Sequence, residues 1–199
     1  MVAKRVARVQ AAIGEPRLAR NIRGQVVAAL HCLEESDDKR LACDFAEHAL
    51  SFVCAGDSLR VEIYQRGIDT IRAFFAGHAT IQQVDEAYVE AMRLEPIGSQ
   101  GIPVVLHDFW SVQYLLFRCC CQREFEAAKL VVRYKYQPGA ISVAQAACWA
   151  VARRAGGPDW DSLDPLLQQA ARARGRRASD DEARWQLQRV LDDVLAYHE

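Results

Sequence analysis

After Gly56-Asp57-Ser58 the chain sets Val61, Tyr64, Ile68, Ile71 and Phe75 at successive spacings of 3, 4, 3 and 4. At about 3.6 residues per turn these positions share one side of an α-helix, whereas an extended strand would scatter them over both faces. The stripe sits inside a longer stretch, 40–88, that spells two amphipathic helices, a Gly-centred turn and a capped third helix. Leu41, Phe45, Ala49 and Phe52 form the stripe of the preceding helix. Beyond the break at Gly77, Thr80 is followed three residues later by Gln83. In that pattern hydroxyl and amide satisfy each other's unpaired N–H groups at a helix start.

Helical periodicity continues along the whole chain, and no segment keeps the alternation of a half-buried strand. The expectation is an all-α, single-domain bundle, 1–199, of about 8–10 helices, with a sub-domain joint at 95–103 and a basic helical extension at 1–35. A first helix is expected near Val2–Ile13, and a second over about Leu18–Glu34, carrying Ile22, Val26, Ala29, Leu30 and Leu33 and stopping at Glu35-Ser36-Asp37-Asp38. Gly139, Ser142 and Gln145 repeat Gly77, Thr80 and Gln83 at an offset of 62 residues, suggesting a weak duplication of a helix-turn-helix unit. Between the copies, 104–121 is apolar almost all round, the pattern of a central helix or an interface. The final third reads as a flexible basic stretch, Arg172 to Arg177, followed by a capping box at Ser179 and Glu182 that opens a last helix. That helix carries Trp185, Leu187, Val190, Leu191, Val194 and Leu195.

At 199 residues, 51% of them hydrophobic and 26% charged, the chain can bury a substantial core. Its net charge of −1 conceals an asymmetry: Lys4, Arg5, Arg8, Arg17, Arg20 and Arg23 against Glu15 give residues 1–30 a charge of +5, leaving −6 for the rest. Seven cysteines without a Cys-x-x-Cys pair, three of them consecutive at Cys119, Cys120 and Cys121, fit neither a disulfide framework nor a zinc site. They read as small buried hydrophobes in a reducing compartment. With no run of about 20 apolar residues and no apolar signal region, a cytoplasmic location is expected, with no membrane contact.

No phosphate-cradling loop, zinc helix or nucleophile elbow is present, so no reaction is spelled out, and neither cofactor nor metal is expected. The constellation that remains is polar. Asp44, Glu47 and His48 share a face of the third expected helix, with Asp44 and His48 an i,i+4 pair in which a carboxylate could orient an imidazole. Asp57, Arg60 and Tyr64 follow on the next helix. The competing account is an ion-pair network tying the two helices together. His107, Asp108, Trp185 and Gln186 are secondary candidates.

The residues Ala42-Cys-Asp44-Phe-Ala-Glu47-His48-Ala-Leu50, then Asp57 and Arg60, then Gly67 to Gly77 and the Thr80-capped helix, resemble the core of the all-helical immunity proteins of bacterial polymorphic-toxin systems. Ala147-Cys-Trp149-Ala-Val-Ala152 is similar to that family's small-residue helix, and Trp185-Gln186 resembles a pair in its final helix. The match covers about 37–93 and, more loosely, 138–195. It implies a cytoplasmic binding protein that neutralises a cognate toxin, and an acidic body suits a basic toxin. Two alternatives stand beside it. One is an enzyme or small-ligand protein using the polar cluster, with Tyr64 or His107 nearby. The other is a helical regulator whose Arg-rich ends touch nucleic acid, although six dispersed basic residues disfavour such contact. A homodimer fits the same patterns.

Overall fold

The computed structural model describes residues 2–14, 18–22, 24–26, 35–94, 112, 116 and 139–198. Every regular element among them is helical, as the periodicity predicts. In chain order they are α1 (Val2–Ile13), a 3-10 turn (Leu18–Asn21), α2 (Glu35–Val53), α3 (Ser58–Phe75), α4 (Ile81–Arg93), α5 (Ala140–Gly156), a second 3-10 turn (Gly157–Asp161) and α6 (Pro165–His198). No described helix is long and apolar enough to cross a membrane.

The core forms where the predicted stripes meet. α5 packs on both α2 and α6, α3 joins α2 to α4, and α1 lies along α6. Leu41, Phe45 and Ala49 of α2 are fully buried, with Tyr64, Ile68 and Ile71 of α3 and Leu187, Val190 and Val194 of α6. Each large apolar side chain withdrawn from water contributes about 1.5–3 kcal/mol, so these stripes account for the bundle. Phe52 leaves its expected stripe. It is half exposed, and Leu50 and Val53 take the core positions at that end of α2. From 104–121 only Val112 and Leu116 are described; both are helical and fully buried. The expected joint at 95–103 and the cysteine triplet lie outside the described residues, as do Ala29, Leu30 and Leu33.

The turn after α3 forms as the sequence predicts. Gly77 takes a φ of 76°, open to glycine at no steric cost. His78 N–H donates to Ala73 O at 2.7 Å and Gly77 N–H to Phe74 O at 3.0 Å, closing the helix end. Thr80 and Gln83 then cap α4 reciprocally, at 2.7 and 3.3 Å.

Its expected copy does not form. α5 begins at Ala140, so Ser142 lies inside the helix, and the Ala140 N–H donates to the carboxylate of Asp38 on α2, at 3.1 Å. The cluster Glu35-Ser36-Asp37-Asp38 opens α2, where carboxylates favour the positive helix terminus, and the expected end of a helix before it, at 27–34, lies outside the described residues.

The largest departure is α6, one helix of 34 residues, about 50 Å long, through the stretch expected to be flexible and re-capped. Its own start is capped by Asp164, which accepts from Leu166 N–H at 2.8 Å. Continuity past Ser179 follows from packing. Ala144, Cys148, Ala152 and Gly156 recur every fourth residue on α5 and meet Ala171, Gly175 and Ser179, spaced likewise on α6. Gly156 lies under Ala171 and Gly175 under Ala152, so close that an added Cβ on Gly175 would stand 2.4 Å from the Ala152 carbonyl oxygen. Ser179, at the boundary of burial, thus faces a neighbouring helix instead of capping its own.

Candidate functional site

The polar residues of α2 meet arginines from two other helices. Asp44 and Glu47, one turn apart, both accept from Arg72 Nη2 of α3, at 2.9 and 2.6 Å. The second oxygen of Asp44 lies 2.9 Å from Arg189 Nη2 of α6. Arg189 also reaches Asp193, one turn on, at 2.5 Å. Arg40 closes the set, donating to Asp193 at 2.6 Å and Asp37 at 3.1 Å, with Asp44 at 3.9 Å. Asp44 is thereby a junction for three guanidinium groups from α2, α3 and α6, and its side chain is only 16% exposed.

The electrostatics agree with this geometry. The Arg72 hydrogen bond holds the Glu47 carboxyl below its ordinary range, outweighing burial, and Gln65 adds a second donor at 2.7 Å. Glu47 and Asp44 in turn raise Arg72, against the opposing effect of burial. Burial lowers Arg40, but its bonds to Asp193 and Asp37 prevail and raise it. Beside them, burial pushes the Cys43 thiol up to about 12, keeping it protonated and unreactive.

His48 does not take Asp44 as its orienting carboxylate, because arginines occupy Asp44. Its Nδ1 lies 2.8 Å from Glu182 Oε2 on α6. The imidazole stacks on Trp185, ring centres 3.6 Å apart and planes within 4°, and meets the edge of Phe52 at 5.2 Å. Glu182 is 3% exposed. Its other oxygen accepts from Gln186 Nε2 at 2.9 Å, and that amide also donates to Ala144 O at 3.2 Å. The Cys148 thiol, raised by burial, donates to Gln186 Oε1 at 3.7 Å. A polar chain thus runs from the half-buried His48 through α6 to α5.

The structure therefore gathers Asp44, Glu47, His48, Trp185 and Gln186 into one region. Asp57 and Arg60 lie elsewhere: Asp57 caps α3 by accepting from Arg60 N–H at 3.1 Å and pairs with Arg60 Nε at 3.0 Å, while Arg60 Nη2 reaches Leu94 O at 3.2 Å. Tyr64 is fully buried in the core. His107 and Asp108 lie outside the described residues. Sequence reasoning missed Arg72, Arg189, Asp193 and the role of Glu182. Their signal was present as 3-4 spacings of charge, Arg72 with Asp69 and Arg189 with Asp193, but spacing alone does not say which helix a charge faces.

An open groove of about 640 Å³ runs along α3, lined by Gly56, Ser58, Val61, Gln65, Arg66 and Asp69 among others. It touches the cluster only through Gln65 and Asp69, and His48 does not line it. Among the described residues no three His, Cys, Asp or Glu side chains are grouped to hold a metal ion. No family model, curated protein or solved structure matches the chain.

Proposed function

We propose that this chain is a binding protein of the immunity type, neutralising a cognate toxin by direct protein–protein association. The observation that carries the reading is how its polar and apolar side chains are divided. The carboxylates and imidazole of the α2 cluster are engaged by arginines, Glu182 and Trp185 of neighbouring helices, so they serve the bundle's rigidity. Large apolar side chains meanwhile stay on the surface: Phe52, Leu59, Trp149, Leu163 and Leu166 are each more than half exposed. Rigid scaffolds presenting aromatic and aliphatic anchors suit recognition of another protein. The resemblance of 37–93 to all-helical immunity proteins points the same way.

The test is co-expression with the product of the adjacent gene. The expected result is co-purification with nanomolar or tighter affinity, and relief of that product's toxicity. Separate elution of the two proteins together with undiminished toxicity refutes the proposal.

A further inference from the structure

At the corner where α5 ends and α6 begins, the surface combines bare leucines with arginines that have no counter-ion among the described residues. Leu163 is fully exposed, Leu166 is 76% exposed, and Leu167 and Trp149 are about half exposed. Trp149 stands edge-on to Trp160, ring centres 6.0 Å apart. Trp160 is itself pressed onto Gly156 and Gly175, where an added Cβ would meet its ring at 2.3 Å. The aromatic pair is therefore held rigidly, as an anchor for a partner should be.

From Pro165 to Ser179 there is no acidic residue, and Arg172, Arg174, Arg176 and Arg177 occur in that span. Arg174 is used, reaching Gly156 O at 3.0 Å and Asp159 at 3.9 Å. The other three are exposed, and among the described residues no acceptor pairs with them. They begin about 8 Å along the helix from Leu167. The nearby aspartates are already engaged: Asp161 with Arg153 at 2.6 Å, Asp159 with Arg174, Asp164 with the α6 N-terminus and, one turn beyond Arg176 and Arg177, Asp180 with the Ala19 N–H at 2.9 Å and Asp181 with Arg184 at 2.7 Å. The corner's unspent charge is positive.

We infer that this corner is a docking surface for an acidic amphipathic segment of a partner protein, its aliphatic side chains meeting Leu163, Leu166 and Trp149 and its carboxylates meeting Arg172, Arg176 and Arg177. The assignment rests on the binding role proposed above and reverses the charge preference that the whole-chain asymmetry suggests. At 100° per residue, Leu166, Leu167, Arg172, Arg176 and Arg177 spread over more than half the circumference of α6. A polypeptide can wrap that arc, whereas a flat bilayer meets one side of it. Insertion tip-first into lipid would desolvate Asp159, Asp161 and Asp164, and a phosphate backbone offers no apolar partner for Leu163 and Leu166. Arginine suits the role because its planar fork pairs bidentately with carboxylates.

The experiment titrates the full chain into a labelled flexible peptide of about 20 residues, built of leucine and glutamate, and into its twin with lysine in place of glutamate. Vesicles of phosphatidylcholine with phosphatidylglycerol and a DNA duplex are run alongside. The expected result is binding of the glutamate peptide roughly tenfold or more tighter than the lysine twin. A similar loss is expected in Leu163→Asp/Leu166→Asp and in Arg172→Glu/Arg176→Glu/Arg177→Glu, with helicity unchanged, and partial recovery when the three arginines become lysine. Equal binding of the two peptides, insensitivity to both variants, or capture of vesicles or DNA instead overturns the proposal. The adjacent-gene product separates the two readings. If it binds both variants as tightly as wild type, the toxin-neutralising role stands and this surface falls; if it fails to bind wild type while the glutamate peptide binds, the reverse holds.

Discussion

Replacing Asp44 with alanine tests whether the arginine junction holds α2, α3 and α6 together. The substitution deletes the acceptor for Arg72 and Arg189, both at 2.9 Å. Neither arginine is orphaned, since Arg72 keeps Glu47 and Arg189 keeps Asp193. The loss is therefore that of two charge-assisted hydrogen bonds, each about 1.5–3 kcal/mol when well shielded. Both guanidinium groups are about a third exposed, so the lower end applies, about 3 kcal/mol in all. Alanine's better helix propensity returns about 0.5 kcal/mol, leaving a net loss of about 2–2.5 kcal/mol. Urea unfolding followed by far-UV circular dichroism would read this as a lower midpoint at unchanged slope. A double-mutant cycle with Arg189→Gln isolates the cross-helix pair, with an expected coupling of about 1 kcal/mol. A loss under about 0.5 kcal/mol with no coupling would refute the reasoning, reducing the junction to ordinary surface ion pairs.

His48→Ala strips Glu182 of its cation-capable partner and of the cover that the stacked imidazole provides, leaving a buried carboxylate held by Gln186. A loss of about 3 kcal/mol is expected in the same urea assay, and Glu182→Gln in that background should restore part of it. Because the folded-state pKa of Glu47 is depressed, its contribution is present above the ordinary glutamate range and lost as pH falls through the folded value. Glu47→Gln should accordingly lower stability at neutral pH, converge with wild type in acid and so flatten the decline below about pH 4.5, measured by urea midpoints across pH. Gly175→Ala gains about 1 kcal/mol of helix propensity but drives a methyl to within 2.4 Å of the Ala152 carbonyl oxygen and 2.3 Å of the Trp160 ring. Overpacking against backbone should prevail, with a net loss of about 1–2 kcal/mol and a shift in tryptophan fluorescence; a stabilised variant would show that the two helices can part without cost.

The helical class and the main stripes were legible because a 3-4 repeat of large apolar residues has one structural solution. Tyr64, Ile68 and Ile71 are buried as the spacing demands, and the Gly77, Thr80 and Gln83 turn is built from contacts within eleven residues. Ser142 and Ser179 carried the same local signature and were overridden, one by a carboxylate arriving from α2 and the other by the close approach of α5. The site divided in the same way. Asp44, Glu47 and His48 were visible as a polar face, but their partners Arg72, Arg189 and Glu182 lie 28, 145 and 134 residues away along the chain. A single sequence holds no record of which distant charge folds back onto which. Arg189 and Glu182 could be placed only once α6 was known to be unbroken.

The carboxylate that starts α5 comes from Asp38, 102 residues earlier. An added Cβ on Gly139 would stand 2.3 Å from that carboxylate, so the glycine leaves the room that the Asp38 side chain occupies. A helix whose first N–H is answered from another segment has no fixed beginning until that segment arrives. Cutting the chain between the two halves should therefore leave the later half fraying at its entry, with α5 recovering its first turn only when α2 is supplied. The junction makes docking and helix initiation one event, and it ties the folding of the last sixty residues to that of the first fifty.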